Sequence, residues 1–202
     1  MEARWFDWWH SVQTRADRSE NSRDWSYSFP YLPIRPPTAR WVLRSLPIGD
    51  PSDYTFVDVG SGKGRMLLIA SEFLFRRVVG IEMRPDLHDQ ALENVRRFRH
   101  PAARRSSIDC ELVDATRYDF PPGKLVVYLF NPFSAEVMRQ VLGRLDESFE
   151  QDPREIVVVY VYPEFGFLMK DMRHFQMCQE TGRYYIAKSQ ATCRRGEAHR
   201  HR

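Results

Sequence analysis

The sequence TFVDVGSGKGR at residues 55–65 decides the fold. Its first five residues are typical of a buried β-strand. The three glycines that follow favour a tight turn, because glycine adopts positive φ angles without strain. After the turn, apolar residues recur at helical spacing through residues 66–74. The stretch therefore predicts a strand, a glycine-rich turn and a helix whose first backbone N–H groups can meet a ligand.

The spacing of these glycines separates the turn from two common phosphate-binding loops. A dinucleotide fingerprint, G-x-G-x-x-G, would place its third glycine where the chain has Arg65. A P-loop, G-x-x-x-x-G-K-[ST], would need a glycine at Val57 and a hydroxyl residue at Gly64. Both loops are therefore disfavoured, and so is an NAD-dependent oxidoreductase.

The pattern that remains at residues 58–64, D-x-G-x-G-x-G, resembles the first motif of class I S-adenosylmethionine-dependent methyltransferases. S-adenosylmethionine has no phosphate; it offers an amino-acid end, a sulfonium, a ribose and an adenine. The resemblance implies that this cofactor lies over the turn, where glycines let the backbone approach it closely. The residues assigned to this part of the site are Asp58, Gly60, Ser61, Gly62 and Gly64.

The rest of the chain alternates strand-like and helix-like segments, which predicts a doubly wound α/β fold with a mainly parallel sheet. The further strand patterns lie at residues 77–82, 108–113, 125–130 and 156–161. Two short strand patterns at residues 174–178 and 184–187 predict an antiparallel hairpin at the end. This order resembles the class I methyltransferase fold, whose seven-stranded sheet ends in such a hairpin.

Two acidic residues are predicted at the carboxyl ends of parallel strands, where ligands of such sheets bind. Glu82 follows the first glycine by about 20 positions, the place from which an acid accepts hydrogen bonds from ribose hydroxyls. For Asp114 the resemblance implies a hydrogen bond from the adenine amino group, with the backbone N–H of Ala115 against the ring. Asp109 and Asp119 compete for this role, and any of these acids could instead be a carboxylate that faces water.

The methyl-acceptor site is predicted at Asn131, Pro132 and Phe133, which follow the fourth strand. Amino-group methyltransferases similar to this chain carry [DN]-P-P-[YFW] there, and the resemblance implies that Asn131 also contacts the cofactor. Ser134 stands where the aromatic residue belongs, which disfavours methylation of adenine or glutamine nitrogen. An ordinary turn after the strand is an equally good interpretation. Methyl transfer depends on orientation more than on acid–base chemistry, so a general base is needed only if the acceptor arrives protonated.

The first 50 residues are rich in aromatic side chains and predict a cap over the site. The segment around Tyr31 is similar to its counterpart in archaeal and nucleosome-core-type protein-lysine methyltransferases, which assigns Tyr31 to the acceptor pocket. The alternative is that these aromatic residues pack on the edge of the sheet. Trp5, Trp8 and Trp9 fall on one helical face, which could dock on a partner or form a homodimer.

The chain divides into a cap at residues 1–50, a cofactor-binding domain at residues 51–190 and a disordered tail at residues 191–202. Its 202 residues, 43% of them hydrophobic, suffice for one core. No apolar run would span a bilayer, and no signal peptide or cysteine pattern is present, which indicates a cytoplasmic protein without a membrane anchor or a metal. A net charge of +3 with scattered arginines disfavours nucleic acid as a partner.

The sequence thus predicts a methyltransferase that uses S-adenosylmethionine and acts by in-line displacement on a protein lysine or a small molecule. The alternative from another class is a non-catalytic cofactor-binding or scaffold protein. Such a protein would keep the glycine-rich turn for folding and use its tryptophan-rich N-terminus for a partner.

Overall fold

The computed structural model describes residues 2–16, 32–100 and 106–190. The strands are β1 Thr55–Val59, β2 Arg77–Glu82, β3 Ser107–Leu112, β4 Leu125–Phe130, β5 Ile156–Val161, β6 Phe175–Glu180 and β7 Tyr184–Ser189. The helices are α1 Glu2–His10, α2 Pro36–Arg44, α3 Arg65–Ser71, α4 Pro85–Arg97 and α5 Ala135–Gln151. Short 3₁₀ helices lie at Pro51–Asp53, Ala115–Arg117 and Gly166–Asp171.

The seven strands form one sheet in the order β3-β2-β1-β4-β5-β7-β6. Strands β1 to β5 run parallel, and β7 runs antiparallel to both β5 and β6. The central strands are mostly apolar and are buried except for half-buried Phe130 at the end of β4, as expected of parallel strands covered on both faces. The predicted mainly parallel sheet with a terminal antiparallel hairpin is confirmed.

Side chains that alternate along each strand divide the core into two halves. Phe56 and Val126 point to the face that carries α2 and α3, whereas Val57 and Val127 point to the face that carries α5. The first half also contains Phe6 of α1 and apolar residues of α2. The N-terminal helices therefore share one core with the sheet, and the predicted domain boundary at residue 50 stays a prediction.

Helix α3 is shorter than the apolar pattern predicts: it ends at Ser71, whereas the pattern continues to Leu74. The chain leaves the helix through i→i+3 hydrogen bonds, and Leu74 takes a left-handed φ of 59°. This turn brings Phe75 back into the core, where it is 1% exposed and packs against Phe56. A tertiary contact therefore overrides the helical periodicity.

Arg65, which stands where a dinucleotide fingerprint has its third glycine, ties the N-terminal segment to the glycine-rich turn. Its buried guanidinium donates to the Thr14 hydroxyl at 2.6 Å and to the Ile34 carbonyl at 3.1 Å. It also lies 3.7 Å from a carboxylate oxygen of Asp7. The arginine therefore has a structural role in this fold, because it joins α3 to two parts of the chain that precede the sheet.

Asn94 of α4 makes a second connection to the same segment. Its side-chain oxygen accepts the Gln13 N–H at 2.7 Å, and its amide nitrogen donates to the carbonyls of Gln13 at 3.0 Å and Lys63 at 2.9 Å. The Lys63 ammonium in turn donates to the Arg15 carbonyl at 2.9 Å. The N-terminal segment is thus hydrogen-bonded to the back of the glycine-rich turn.

The predicted aromatic helical face is present on α1. Trp5, Trp8 and Trp9 are 62%, 70% and 71% exposed, while Phe6 on the opposite side is buried. Trp41 does pack against the sheet, with its ring 5.1 Å from that of Tyr184. The homodimer or partner role of the exposed face stays a prediction.

Two further predictions fall outside the described residues, namely the acceptor role of Tyr31 and the disorder of the tail at residues 191–202. Among the helices that the structure describes, none is long and apolar enough to cross a membrane.

Candidate functional site

A cavity of about 400 Å³, here called the strand-end cleft, opens at the carboxyl ends of β1, β2 and β4. The chain runs outward from β1 to β2 and β3, then crosses back to place β4 on the other side of β1. Parallel α/β sheets bind ligands at such a switch point. The walls come from the glycine-rich turn, the ends of β2, β4 and β5, and residues 32–34 of the N-terminal segment.

The glycine-rich turn has the left-handed geometry that its sequence predicts. Gly60, Gly62 and Gly64 have φ angles of 79°, 54° and 79°. The N–H groups of Gly60 and Ser61 both donate to the Ile81 carbonyl, at 2.9 and 3.0 Å, so the turn is bonded to β2. A Cβ on Gly60 would lie only 2.9 Å from Cβ of Pro132. The turn therefore packs closely against Pro132, in the segment after β4, and only glycine fits at position 60.

Glu82 joins the end of β2 to the glycine-rich turn. One carboxylate oxygen accepts the Gly62 N–H at 2.9 Å, and the other accepts the Arg84 N–H at 2.9 Å. Burial raises the pKa of Glu82, and these backbone hydrogen bonds oppose that rise. A carboxylate offers about four acceptor sites, so Glu82 retains capacity for ligand hydroxyls in the strand-end cleft.

Asp58, the last-but-one residue of β1, is a buried acid in the same cleft. It is 3% exposed, and its carboxyl has no hydrogen-bond partner among the described residues. Burial, and then the nearby charge of Glu82, raise the pKa of Asp58 to about 8. The carboxyl is therefore protonated at neutral pH, and a cationic group brought beside it would favour its ionised form.

We expect the free energy of unfolding to fall as the pH rises from about 5 towards about 8, because Asp58 keeps its proton in the folded protein and loses it in the unfolded chain near pH 4. This contribution is fully present at low pH and is lost through the folded pKa, by up to about 1.4 kcal/mol per pH unit. Urea unfolding at several pH values measures it. Asp58→Asn should flatten the slope, and an equally steep slope in that variant would contradict the assignment.

The three predicted acceptor-site residues all line the strand-end cleft, but the Asn131 amide is already engaged. Its oxygen accepts the Tyr160 hydroxyl at 2.7 Å, and its nitrogen donates to Glu164 at 3.0 Å. Asn131 has a φ of 42°, which asparagine tolerates in turns. Its side chain thus links the ends of β4 and β5. The acceptor roles of Asn131, Pro132 and Phe133 stay predictions.

Asp114 and Ala115 do not line the strand-end cleft. One Asp114 oxygen accepts the N–H of Thr116 at 2.9 Å and its hydroxyl at 2.8 Å, which caps a 3₁₀ helix. Ala115 is buried in the second half of the core. The competing carboxylates are paired with arginines: Asp109 with Arg77 and Asp119 with Arg144. The adenine role of Asp114 and Ala115 stays a prediction.

The sequence interpretation missed an aromatic wall of the strand-end cleft. The rings of Phe130 and Tyr162 meet edge to face at 5.5 Å and 76°. Tyr162 has a φ of 49°, a conformation that is costly for a bulky residue. Tyr162 follows β5 directly. Asn131 was identified because ligands bind at the carboxyl ends of parallel strands, and the same reasoning would have identified Tyr162. Met83 and Arg84, next to Glu82, were missed in the same way.

Among residues 2–16, 32–100 and 106–190, no three side chains of His, Cys, Asp or Glu are grouped as metal ligands would be.

No protein-family model and no curated protein sequence matches this chain. Solved structures do match its fold. A ribosomal protein L11 methylase from Lactobacillus delbrueckii subsp. bulgaricus aligns with a TM-score of 0.53 at 16% identity, over 88% of this chain and 84% of that one. A precorrin-6y C5,15-methyltransferase from Geobacter metallireducens aligns with a TM-score of 0.54 at 15% identity, over 90% and 100%.

An RNA methyltransferase from Salinibacter ruber, solved with S-adenosyl-L-homocysteine, has a TM-score of 0.50 and 20% identity over 79% of this chain and 94% of that one. At these identities the comparisons show the fold alone. The chain has the Rossmann-like fold of class I S-adenosylmethionine-dependent methyltransferases.

Proposed function

We propose that this protein is a cytoplasmic methyltransferase that uses S-adenosylmethionine. The observation that carries the proposal is the hydrogen bond between the Gly62 N–H and the Glu82 carboxylate. It joins the glycine-rich turn to the acid predicted to bind ribose, at the switch point of a methyltransferase-like sheet. The Glu82 carboxylate and Gly60 line one cleft, although α3 separates them in the chain. Gly62 and Gly64 do not line the cleft. A glycine-rich turn needed for folding alone would not require a buried carboxylate beside it.

The residues that would hold the cofactor are those of the strand-end cleft. Glu82 has acceptor capacity for the two ribose hydroxyls, and Asp58 is an acid suited to the amino group of the methionine part. Met83 and Leu87 offer apolar surface beside the end of β2. Asp114 and Ala115 belong to the proposal as adenine contacts. The chemistry that the cofactor supplies when bound is an electrophilic methyl group.

The protein's own contribution is to orient the acceptor and exclude water. Phe130, Tyr162 and Pro132 form one wall of the cleft, and Leu32 lines it from the N-terminal segment. Correct orientation of two reactants contributes on the order of 7–11 kcal/mol, so methyl transfer needs a general base only if the acceptor arrives protonated. Tyr31 belongs to this acceptor pocket in the proposal.

The acceptor is proposed to be a protein lysine or a small molecule. The named structures with this fold are described as methylating a ribosomal protein, an RNA and a precorrin, so the fold does not select among acceptor classes. The mild net charge of +3 remains the argument against nucleic acid. A homodimer through the exposed tryptophans of α1 is part of the proposal.

Of the two forms of the non-catalytic alternative, a scaffold protein that binds no ligand is disfavoured by the buried acids, whereas a non-catalytic cofactor-binding protein is not. Asp58 has no hydrogen-bond partner among the described residues and Glu82 keeps spare acceptor capacity, so both can accept hydrogen bonds from a ligand.

Calorimetric titration with S-adenosylmethionine, S-adenosylhomocysteine and NADH tests the proposal. We expect micromolar binding of the first two and none of NADH. Incubation with methyl-labelled cofactor should then transfer the label to lysine-containing proteins or to small amines. Absence of binding to all three ligands would contradict the proposal, and binding without transfer to any acceptor would favour the scaffold.

A further inference from the structure

Tyr128 is a residue of the strand-end cleft that lies hidden in an apolar strand. It occupies the fourth position of β4, whose sequence is LVVYLF, where the pattern indicates only a core strand. Its side chain is 1% exposed and lines the cleft. The hydroxyl has no hydrogen-bond partner among the described residues. An apolar strand thus carries one polar side-chain atom, at the wall of the cleft, that the described part of the chain leaves without a partner.

Asp58 is the neighbour of Tyr128 across the sheet. The two residues are register partners of the parallel strands β1 and β4, and the chain neighbours of each point into the second half of the core. Their side chains therefore lie on the same face. Burial, and then the charges of Asp58 and Tyr162, raise the pKa of Tyr128 well above its ordinary value, so the hydroxyl stays protonated.

Burial of this hydroxyl has a cost that phenylalanine would avoid. The Tyr128 ring packs 5.9 Å from that of Phe56, and a phenylalanine would keep that contact. A buried hydroxyl without a partner is unfavourable, and native proteins satisfy most such groups. Asp58, its register partner on β1, also lacks a hydrogen-bond partner among the described residues. Both side chains line the cleft, which indicates that one polar group of a ligand pairs with both.

The charges around this position favour a cation. Asp58 and Glu82 are the nearest acids that line the cleft here. The nearby guanidinium of Arg65 is directed to Thr14, Ile34 and Asp7. An ammonium group has three donors and no acceptor, so it can donate to both a carboxylate and a hydroxyl oxygen. A ligand carboxylate in the same place would be repelled by the charge of Glu82 and would oppose the ionisation of Asp58.

Resting on the proposed function, we infer that Tyr128 binds the ammonium group of S-adenosylmethionine together with Asp58. One ammonium N–H donates to the Asp58 carboxylate, and another donates to the Tyr128 hydroxyl oxygen. Tyr128 therefore contributes to specificity for ligands that carry an amino-acid end, because its hydroxyl binds the ammonium group of that end.

Tyr128→Phe tests the inference, with Tyr54→Phe as the matched control. Tyr54 is also 1% exposed, but it precedes β1 and its hydroxyl donates to Glu155 at 2.8 Å. For both variants we would measure thermal unfolding and calorimetric affinity for S-adenosylhomocysteine. Two analogues complete the series of ligands. Decarboxylated S-adenosylhomocysteine lacks the carboxylate but keeps the amine, and 5′-methylthioadenosine lacks both groups.

We expect Tyr128→Phe to unfold at the wild-type temperature or above it, because it removes an unsatisfied hydroxyl. Its affinity for S-adenosylhomocysteine and for the decarboxylated analogue should fall about tenfold, while that for methylthioadenosine should not change. Tyr54→Phe should show the reverse pattern, with a lower unfolding temperature and wild-type affinity.

The inference is overturned if Tyr128→Phe binds S-adenosylhomocysteine as the wild type does, or weakens all three ligands equally. A loss limited to ligands that carry the carboxylate would also overturn it. If the wild-type protein itself binds no S-adenosylhomocysteine, the proposed function falls as well, so the two failures are distinguishable.

Discussion

Glu82→Ala should lose at least about 100-fold in affinity for S-adenosylhomocysteine, the largest effect that we expect from a single side chain. The carboxylate is proposed to accept hydrogen bonds from the ribose, and bonds to a charged group contribute about 1.5–3 kcal/mol each. It also accepts the N–H groups of Gly62 and Arg84, so its removal leaves both donors without their partner. Calorimetric titration measures the affinity.

Glu82→Gln separates these two roles. Glutamine keeps the volume and one acceptor oxygen but places an NH₂ group against one of the two backbone N–H groups, so the affinity should be intermediate. Glu147→Ala is the matched control, because Glu147 lies on α5 outside the cleft and pairs with Arg144 at 2.7 Å. Retention of full affinity in Glu82→Ala would remove Glu82 from the site.

Gly60→Ala should both destabilise the fold and abolish cofactor binding. Its φ of 79° disfavours any Cβ, and that Cβ would lie 2.9 Å from Cβ of Pro132. A left-handed L-residue costs about 1–2 kcal/mol, and overpacking adds about 1–3 kcal/mol. Relief of the clash would displace Pro132, which lines the cleft. Urea unfolding should therefore show a loss of about 2–5 kcal/mol in the free energy of unfolding, and titration should show no binding.

Gly143→Ala is the matched control for this substitution. Gly143 lies within α5, and a Cβ there would have no heavy atom within 4 Å. Alanine in a helix interior is favoured over glycine by about 0.5–1 kcal/mol, so this variant should be more stable and bind normally. If Gly60→Ala had wild-type stability and affinity, the turn would accommodate a Cβ at position 60, and the expected clash with Pro132 would be wrong.

The sequence by itself determined the order of strands and helices and the position of the glycine-rich turn. Strands β4 and β5 are continuous apolar runs, and a short run of this kind has few alternatives to a buried strand. The turn was predictable because left-handed backbone needs glycine wherever it occurs. Glu82 was predictable because a strand end is a local feature that follows from the same pattern.

Only the tertiary structure decided which side chains meet. Tyr128 and Asp58 are 70 positions apart in the chain, and the pairing of β4 with β1 makes them neighbours. The Asn131 amide, predicted to face an acceptor, is bonded to Tyr160 and Glu164 because β5 lies beside β4. Arg65 excluded a dinucleotide fingerprint in the sequence, and the fold directs it to the N-terminal segment. Periodicity and glycine spacing encode local backbone geometry, whereas hydrogen-bond partners depend on the register between distant strands.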